Sequence, residues 1–248
     1  IKGGIYLWPR EWTFENFLLV LNDDRLWRAY GITLARTVLG TISALVYTAI
    51  VGYAMSRQNL RGRNIFYKIF IFTMFFSGGT VPYYLIISAL GLFDNFLVYI
   101  IPALFSVYNM LVFSNFFRGI PEEIRESAVM DGASEFKIFT SIIMPLSTPV
   151  ISTVALWIAV GHWNSFYDTM LYTSDNRLWT LQYYLMKVIK ESSIPTNIGG
   201  LPSDILQTVS PETVSFAAII ISVIPILIVY PLIFKMLTKG VVVGSLKG

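Results

Sequence analysis

Long apolar stretches alternate with polar segments along this chain. The apolar stretches cover residues 29–55, 65–90, 95–117, 146–172 and 214–237. About 20 apolar residues in a helix suffice to cross the hydrocarbon of a bilayer, and each stretch is at least that long. The pattern predicts an all-α integral membrane protein, a single domain over residues 1–248, with five spans joined by segments at the two membrane faces.

The segment 56–68 between the first two spans orients the protein. It holds four basic residues and no acidic one: Arg57, Arg61, Arg63 and Lys68. Short loops rich in Lys and Arg stay in the cytoplasm, so this segment is predicted to lie inside and residues 1–28 outside. An external N-terminal segment also predicts a sixth span before Ile1.

Alternation of the spans then assigns the remaining segments. The polar loop 118–149 and the basic, glycine-rich tail 238–248 are predicted on the cytoplasmic side. The segment 173–212 is predicted outside, where it could reach toward a partner protein or form a lid on the outer surface.

Composition supports the membrane assignment and excludes several function classes. The chain has 248 residues, of which 55% are hydrophobic and only 13% charged, whereas soluble domains carry about 25% charged residues. The net charge of +3 is too small to indicate a nucleic-acid partner. With no cysteine and only His162, the sequence predicts no catalytic residue, no metal site and no disulfide.

Two features inside the spans have alternative interpretations. Gly78-Gly79-Thr80-Val81-Pro82 interrupts the second span, either as a packing kink or as a broken helix beside a substrate path, and Gly79 and Pro82 are its candidate path residues. Arg36 lies within the first span. Its structural interpretation is an arginine that snorkels or pairs inside the bundle, and its functional interpretation is a polar contact that lines a pathway.

The loop 118–149 has the local signals of two short helices. Pro121 suits the start of a helix over 121–130, and the acids that follow it favour the helix N-terminus. Gly132 suits the C-terminal turn. Ser134 can cap a second helix that ends near residue 141, and Pro145 marks the entry into the fourth span.

Five residues of this loop match a known motif. Glu126, Ala128, Gly132, Ile142 and Pro145 fit the E-A-A-x3-G-x9-I-x-L-P pattern, with a serine and a methionine in place of its second alanine and its leucine. The loop therefore resembles the EAA loop of ABC-importer permeases. The run GGTVPYYLIISALGLFDN, the Trp163-Asn164 pair and the tail KGVVVGSLKG extend the resemblance to the maltose-type carbohydrate permeases, in particular their poly- and oligosaccharide subgroup.

The resemblance implies the type I ABC importer transmembrane fold in the bacterial cytoplasmic (inner) membrane, in contact with membrane lipid. It implies a heterotetrameric core of this chain, a second homologous permease subunit and two ABC ATPase subunits, supplied by an extracytoplasmic solute-binding protein. ATP and Mg²⁺ would bind the partner ATPase. This chain has no G-x4-G-K-[ST] loop, so it is predicted not to hydrolyse ATP and to hold no cofactor itself.

The resemblance also implies contacts to the ATPase. The residues predicted to couple to it lie in the loop: Pro121, Glu122, Arg125, Glu126, Ala128, Asp131, Gly132, Ile142 and Pro145. In the tail, Lys239, Gly240, Gly244 and Lys247 would insert between the ATPase subunits. The alternative for the tail is a frayed basic terminus at the lipid headgroups.

The fourth span contains polar and aromatic candidates for sugar contacts. If it is one helix, Asn164 and Asp168 share a face, and so do Trp163 and Tyr167. The alternative is that Trp163 and Asn164 pack within the bundle, and His162 is predicted to be a packed residue.

These observations favour an importer subunit that moves an oligosaccharide released from a polysaccharide. The alternative is an ion-coupled secondary sugar transporter, which usually needs buried acids, and only Asp168 lies within a predicted span. An intramembrane enzyme lacks a nucleophile–base pair.

Overall fold

The computed structural model describes residues 15–193, 216–225 and 227, and these contain helices and turns but no strand. The helices, in chain order, are α1 (Glu15–Leu21), α2 (Asp24–Ser56), α3 (Arg63–Phe75), α4 (Thr80–Ala89), α5 (Val107–Arg118), α6 (Glu122–Met130), α7 (Glu135–Leu146), α8 (Thr148–Asn164), α9 (Tyr167–Tyr172), α10 (Leu181–Ser193) and α11 (Phe216–Pro225). Short 3-10 turns cover Phe96–Tyr99, Ile101–Ala103 and Asn176–Leu178.

Helix α2 is the longest described element and the one against which the others pack. Asp23 caps its N-terminus, because the Asp23 carboxylate accepts a hydrogen bond of 2.9 Å from the backbone N–H of Arg25. At 1.5 Å per residue, its 33 residues extend about 50 Å. Among the described helices it alone is long and apolar enough by itself to cross a membrane, and it covers the first predicted span, 29–55.

A stripe of small residues on α2 lets α5 and α8 approach closely. Gly40, Ala44, Thr48 and Gly52 recur every fourth residue, and all four are buried. A Cβ atom at Gly52 would lie 2.7 Å from the Cβ of Phe113 on α5, so this contact requires glycine. Membrane helices commonly associate through such stripes because lipid gives them no hydrophobic drive to pack.

The second predicted span is a broken helix. The chain bends by 113° between α3 and α4, and the break falls at residues 76–79. Gly79 has φ 86° and ψ 173°, a conformation that only glycine adopts readily. The third predicted span is also bent, by 47°, between the turns at Phe96–Ala103 and α5.

The fourth predicted span, 146–172, is wrong as a single helix. Helix α8 ends at Asn164, Ser165 is extended with φ −77° and ψ 131°, and α9 is separate. The chain turns there because the Ser165 hydroxyl donates to Asp168 at 2.6 Å, while the Ser165 carbonyl accepts from Arg36 at 3.4 Å. The pairs Asn164 with Asp168 and Trp163 with Tyr167 therefore do not share a helix face.

If each bent pair counts as one span, the described helices form up to four spans that are long and apolar enough to cross a membrane. The last of these pairs joins α7, from the predicted loop 118–149, to α8, and α8 is the part that falls within the fourth predicted span. The fifth predicted span, 214–237, is described only at α11 and residue 227, and α11 is too short to cross by itself. Of the predicted external segment 173–212, the structure describes residues 173–193, which include α10.

Candidate functional site

The first helix of the coupling loop, as we call residues 118–149, is α6. Pro121 precedes it and Glu122 and Glu123 occupy its first turn, where the helix dipole favours acids. Ala128 is the buried residue of α6, at 8% exposed. It packs in a core cluster that also contains Phe117 on α5 and Ile138 on α7. The small side chain at this position thus lets α6 lie directly against the helix bundle.

A Schellman turn joins α6 to α7, as the sequence predicts. Gly132 has φ 77°, its N–H bonds to the carbonyl of Val129 at 2.9 Å, and the Ala133 N–H bonds to the carbonyl of Ala128 at 2.9 Å. Ser134 then caps α7, because its hydroxyl accepts a bond of 3.3 Å from the Lys137 N–H. The Gly132 turn and the Ser134 cap are both confirmed.

The predicted end of the second helix near residue 141 is wrong. Helix α7 continues through a π-helical turn at Phe139–Ile143 and ends at Leu146. Pro145 is the second-to-last residue of α7, two residues before the bend at Ser147, which agrees with its predicted place at the entry into the fourth span. Proline lacks an N–H and its ring needs room near the carbonyl four residues before it, and the wider π turn supplies that room.

A sharp corner follows α7. The chain bends by 83° between α7 and α8, and Ser147 lies buried at the bend. Ile142 packs on the core cluster beside it. The loop thus leads into the membrane helix α8 through a packed corner.

An ion-pair network ties the coupling loop to the end of α2. Arg57, the residue after α2, donates to the Glu122 carboxylate at 3.0 Å, and Arg125 donates to the same carboxylate at 3.1 Å. Arg125 also bonds Glu135 on α7, and the Tyr53 hydroxyl donates to Glu135 at 2.8 Å. Sequence reasoning missed Arg57, Tyr53 and Glu135, and the only signal was the complementary charge of the two segments.

The network keeps its acidic residues ionised. The hydrogen bond from Arg57 holds the pKa of Glu122 below its ordinary value. The hydrogen bond from Arg125 likewise lowers the pKa of Glu135, and its carboxylate in turn raises the pKa of the Arg125 guanidinium. Glu122 and Arg125 are therefore engaged within this chain.

Other residues of the loop remain available on its outer surface. Glu126 is exposed and, in the part of the chain that the structure describes, forms no ion pair. Met130 is 87% exposed and Phe136 is 72% exposed. An acid and two large apolar side chains therefore mark the face of α6 and α7 that points away from the bundle.

The break between α3 and α4 opens onto a cleft of about 540 Å³. It is lined by residues from both sides of the break and from the corner between α8 and α9: Ser77, Gly78, Gly79, Thr80, Pro82, Tyr83, Ile86, Ser165, Tyr167, Asp168 and Tyr172. The cleft brings together four of the six predicted path residues, namely Gly79, Pro82, Tyr167 and Asp168. Three tyrosines and a carboxylate in one concave site can stack against and hydrogen-bond a polyol.

Arg36 holds Asp168 at the edge of this cleft. The Arg36 guanidinium is 2% exposed and contacts the Asp168 carboxylate at 2.5 Å and 3.3 Å. It also lies 4.6 Å above the ring of Tyr99. The predicted pairing of Arg36 inside the bundle is thereby confirmed.

The other two predicted path residues lie apart from the cleft lining. Trp163 is buried in a core cluster with Leu26 and Leu181, and Asn164 is exposed at the end of α8. His162 is buried against Gly40, whose added Cβ would lie 2.4 Å from the imidazole. Packing accounts for Trp163 and His162. The predicted tail residues Lys239, Gly240, Gly244 and Lys247 lie outside the described residues.

The chain is similar in sequence to known membrane transport proteins. Over residues 36–243 the chain matches the family model described as binding-protein-dependent transport system inner membrane component. It is 36% identical over 249 residues to Protein LplC of Bacillus subtilis (strain 168), covering 100% of this chain and 83% of the relative. It is 34% identical over 253 residues to the polygalacturonan/rhamnogalacturonan transport system permease protein YtcP of the same organism, covering 100% and 86%.

A solved structure agrees with the sequence matches. One chain of a bacterial ABC transporter involved in the import of the acidic polysaccharide alginate superposes with a TM-score of 0.86 at 33% identity, covering 94% of this chain and 83% of that chain. The predicted type I ABC importer fold is confirmed. The chain belongs to the family of binding-protein-dependent transport system inner membrane components, the permease subunits of ABC importers.

Proposed function

We propose that this chain is the transmembrane subunit of an ATP-driven importer that moves an oligosaccharide across the bacterial cytoplasmic membrane by alternating access. The observation that carries the proposal is the coupling loop. Its docking helix α6 is bonded to the end of α2 through Arg57 and Glu122, and its second helix α7 runs into α8. A displacement of α6 by a partner would therefore reach two membrane helices.

The partner set follows from the family. We propose a second permease subunit, two ABC ATPase subunits that bind ATP and Mg²⁺, and an extracytoplasmic solute-binding protein. Glu126 with the exposed Met130 and Phe136 forms the face that would seat in an ATPase. In this assignment Glu122 and Arg125 act indirectly, because they hold α6 in place.

The substrate class rests on the relatives and on the cleft. One relative is named for polygalacturonan and rhamnogalacturonan transport, and the solved structure is described as importing alginate. The cleft of about 540 Å³ presents Tyr83, Tyr167 and Tyr172 beside Asp168. Its volume lies in the range of about 300–1,000 Å³ that is common for small-molecule sites, which supports contact with part of an oligosaccharide chain.

The alternative, an ion-coupled secondary sugar transporter, has less support. Such a carrier needs an acid that can take up and release a cation. Asp168, the candidate acid, is already paired with the buried Arg36, so its charge is neutralised by the protein.

The coupling assignment can be tested in the complete transporter. We expect Glu126→Lys and Gly132→Pro to abolish substrate-stimulated ATP hydrolysis and uptake in proteoliposomes. Glu123→Lys reverses a charge on the same exposed helix outside the EAA positions and serves as the matched control, with a smaller expected loss. Normal stimulated hydrolysis in both test variants would refute the assignment.

The substrate assignment needs a separate measurement. A panel of neutral and acidic oligosaccharides, each delivered by the solute-binding protein, is screened for stimulation of ATP hydrolysis. We expect Tyr167→Ala to weaken the stimulation and Asn164→Ala, which lies off the cleft lining, to leave it unchanged. Equal stimulation in wild type and Tyr167→Ala would exclude the cleft from the path.

A further inference from the structure

A second pocket, of about 340 Å³, lies at the beginning of α3 and is lined by Arg63, Asn64, Tyr67, Lys68 and Arg118. Three of its five lining residues are cationic and none is acidic. Within the described residues, Arg63, Lys68 and Arg118 form no ion pair with a carboxylate. The pocket therefore concentrates positive charge that this part of the chain does not neutralise.

The two arginines of this basic pocket are held in place by polar contacts to the bundle. The guanidinium groups of Arg63 and Arg118 lie 5.4 Å and 5.2 Å from the centre of the Tyr67 ring. Arg63 donates through Nε to the carbonyl of Met55 at 3.0 Å, and Arg118 donates through Nη2 to the hydroxyl of Ser114 at 3.2 Å. The other guanidinium nitrogens remain available as donors to a ligand.

The surroundings of the pocket indicate where the ligand resides. Asn64 and Lys68 stand on one face of α3, and the next residues on that face are Ile71 and Phe75. Both are exposed, Phe75 by 75%. A strongly basic pocket thus continues into an exposed apolar helix face, at the end of the helix predicted to meet the cytoplasm.

We propose that the basic pocket binds the phosphate of an anionic phospholipid of the cytoplasmic leaflet. The phosphate oxygens accept hydrogen bonds from Arg63 and Arg118 and pair with the Lys68 ammonium, while an acyl chain lies along Ile71 and Phe75. Basic pockets beside membrane helices on the cytoplasmic side commonly serve lipid headgroups. Because Arg118 is the last residue of α5 and the first residue of the coupling loop, the bound lipid would touch the loop where it leaves α5.

The test uses the complete transporter and phosphatidylglycerol as the probe. Native mass spectrometry compares binding of phosphatidylglycerol and phosphatidylcholine to complexes carrying the wild-type chain, Lys68→Gln, or Lys68→Gln with Arg118→Gln. Lys68 is exposed, so its replacement leaves the fold intact. Arg61→Gln removes an equal charge from the same segment outside the pocket and is the matched control.

We expect phosphatidylglycerol affinity to fall about fivefold for each cation removed, with Arg61→Gln and phosphatidylcholine binding unchanged. Equal phosphatidylglycerol affinity in all variants would overturn the proposal. Displacement of phosphatidylglycerol by inorganic phosphate at similar concentration would overturn it in favour of a small soluble anion. Loss of the ATPase subunits from the double variant with lipid binding intact would instead assign these cations to a protein partner.

Discussion

Arg57 and Glu122 join two parts of the molecule that are far apart in sequence. Arg57 is the first residue after the long helix α2, Glu122 is the first residue of α6, and their side chains meet at 3.0 Å. Helix α6 is therefore held against the end of α2 by a contact within this chain.

The energetic coupling of this pair can be measured by a double-mutant cycle. Because the Glu122 side chain is 51% exposed, we expect Arg57→Ala and Glu122→Ala to be coupled by about 0.2–1 kcal/mol, the range typical of exposed ion pairs. The measurement is the free energy of unfolding of the purified complex. Strictly additive effects would mean that the pair contributes no stability.

A low pH should weaken the ion pair between Arg57 and Glu122. Arg57 lowers the pKa of Glu122 below its ordinary value of 4.5. The stabilisation from Glu122 is therefore complete above pH 4.5 and is lost as the pH falls through the lowered pKa. We expect this acid-dependent part of the melting temperature to disappear in Glu122→Gln. An identical pH dependence in the variant would assign the effect to other acids.

The break in the second span depends on one glycine. We expect Gly79→Ala to cost about 1–3 kcal/mol, because its φ of 86° with ψ of 173° strains any side-chain-bearing residue. Gly78→Ala is the control, since its added Cβ would make only an ordinary 3.9 Å contact with Pro82. Thermal unfolding of the two variants tests this, and equal stability would contradict the prediction.

The stability of the protein should depend on the pairing of Arg36 with Asp168. Asp168→Asn leaves the buried guanidinium without a counter-charge, and we expect a loss of about 3 kcal/mol. The double variant Arg36→Met with Asp168→Asn should recover much of that loss because it removes the unpaired charge. Unfolding of both variants in lipid nanodiscs is the measurement, and an Asp168→Asn variant as stable as wild type would contradict the predicted cost of leaving Arg36 unpaired.

Sequence reasoning succeeded where local chemistry decides the structure. Gly132 at a positive φ and Ser134 as a cap are consequences of residue type and immediate neighbours. The length and apolar character of α2 were equally evident.

Long-range relationships could not be predicted in the same way. Arg57 and Glu122 are 65 residues apart, and Arg36 and Asp168 are 132 apart, so their pairing depends on how the helices pack. The turn at Ser165 contains no glycine or proline from which it could have been predicted. It is instead formed by the hydrogen bonds of Ser165 to Arg36 and Asp168. The predicted end of α7 near residue 141 is too early, since a π turn at Phe139–Ile143 carries the helix on to Leu146.

The corner at Ser147 gives the two helices beside it the shape of an L. At 1.5 Å per residue, α7 forms an arm of about 18 Å and α8 an arm of about 25 Å, set at 83° to each other. A rotation of about 10° about this corner would sweep the far end of α8 by about 4 Å. If the two arms turned as one rigid body, a displacement of α7 perpendicular to its axis would move the far end of α8 sideways, and by a larger distance because α8 is the longer arm. The far end of α8 leads into the turn at Ser165, which forms one wall of the tyrosine-lined cleft.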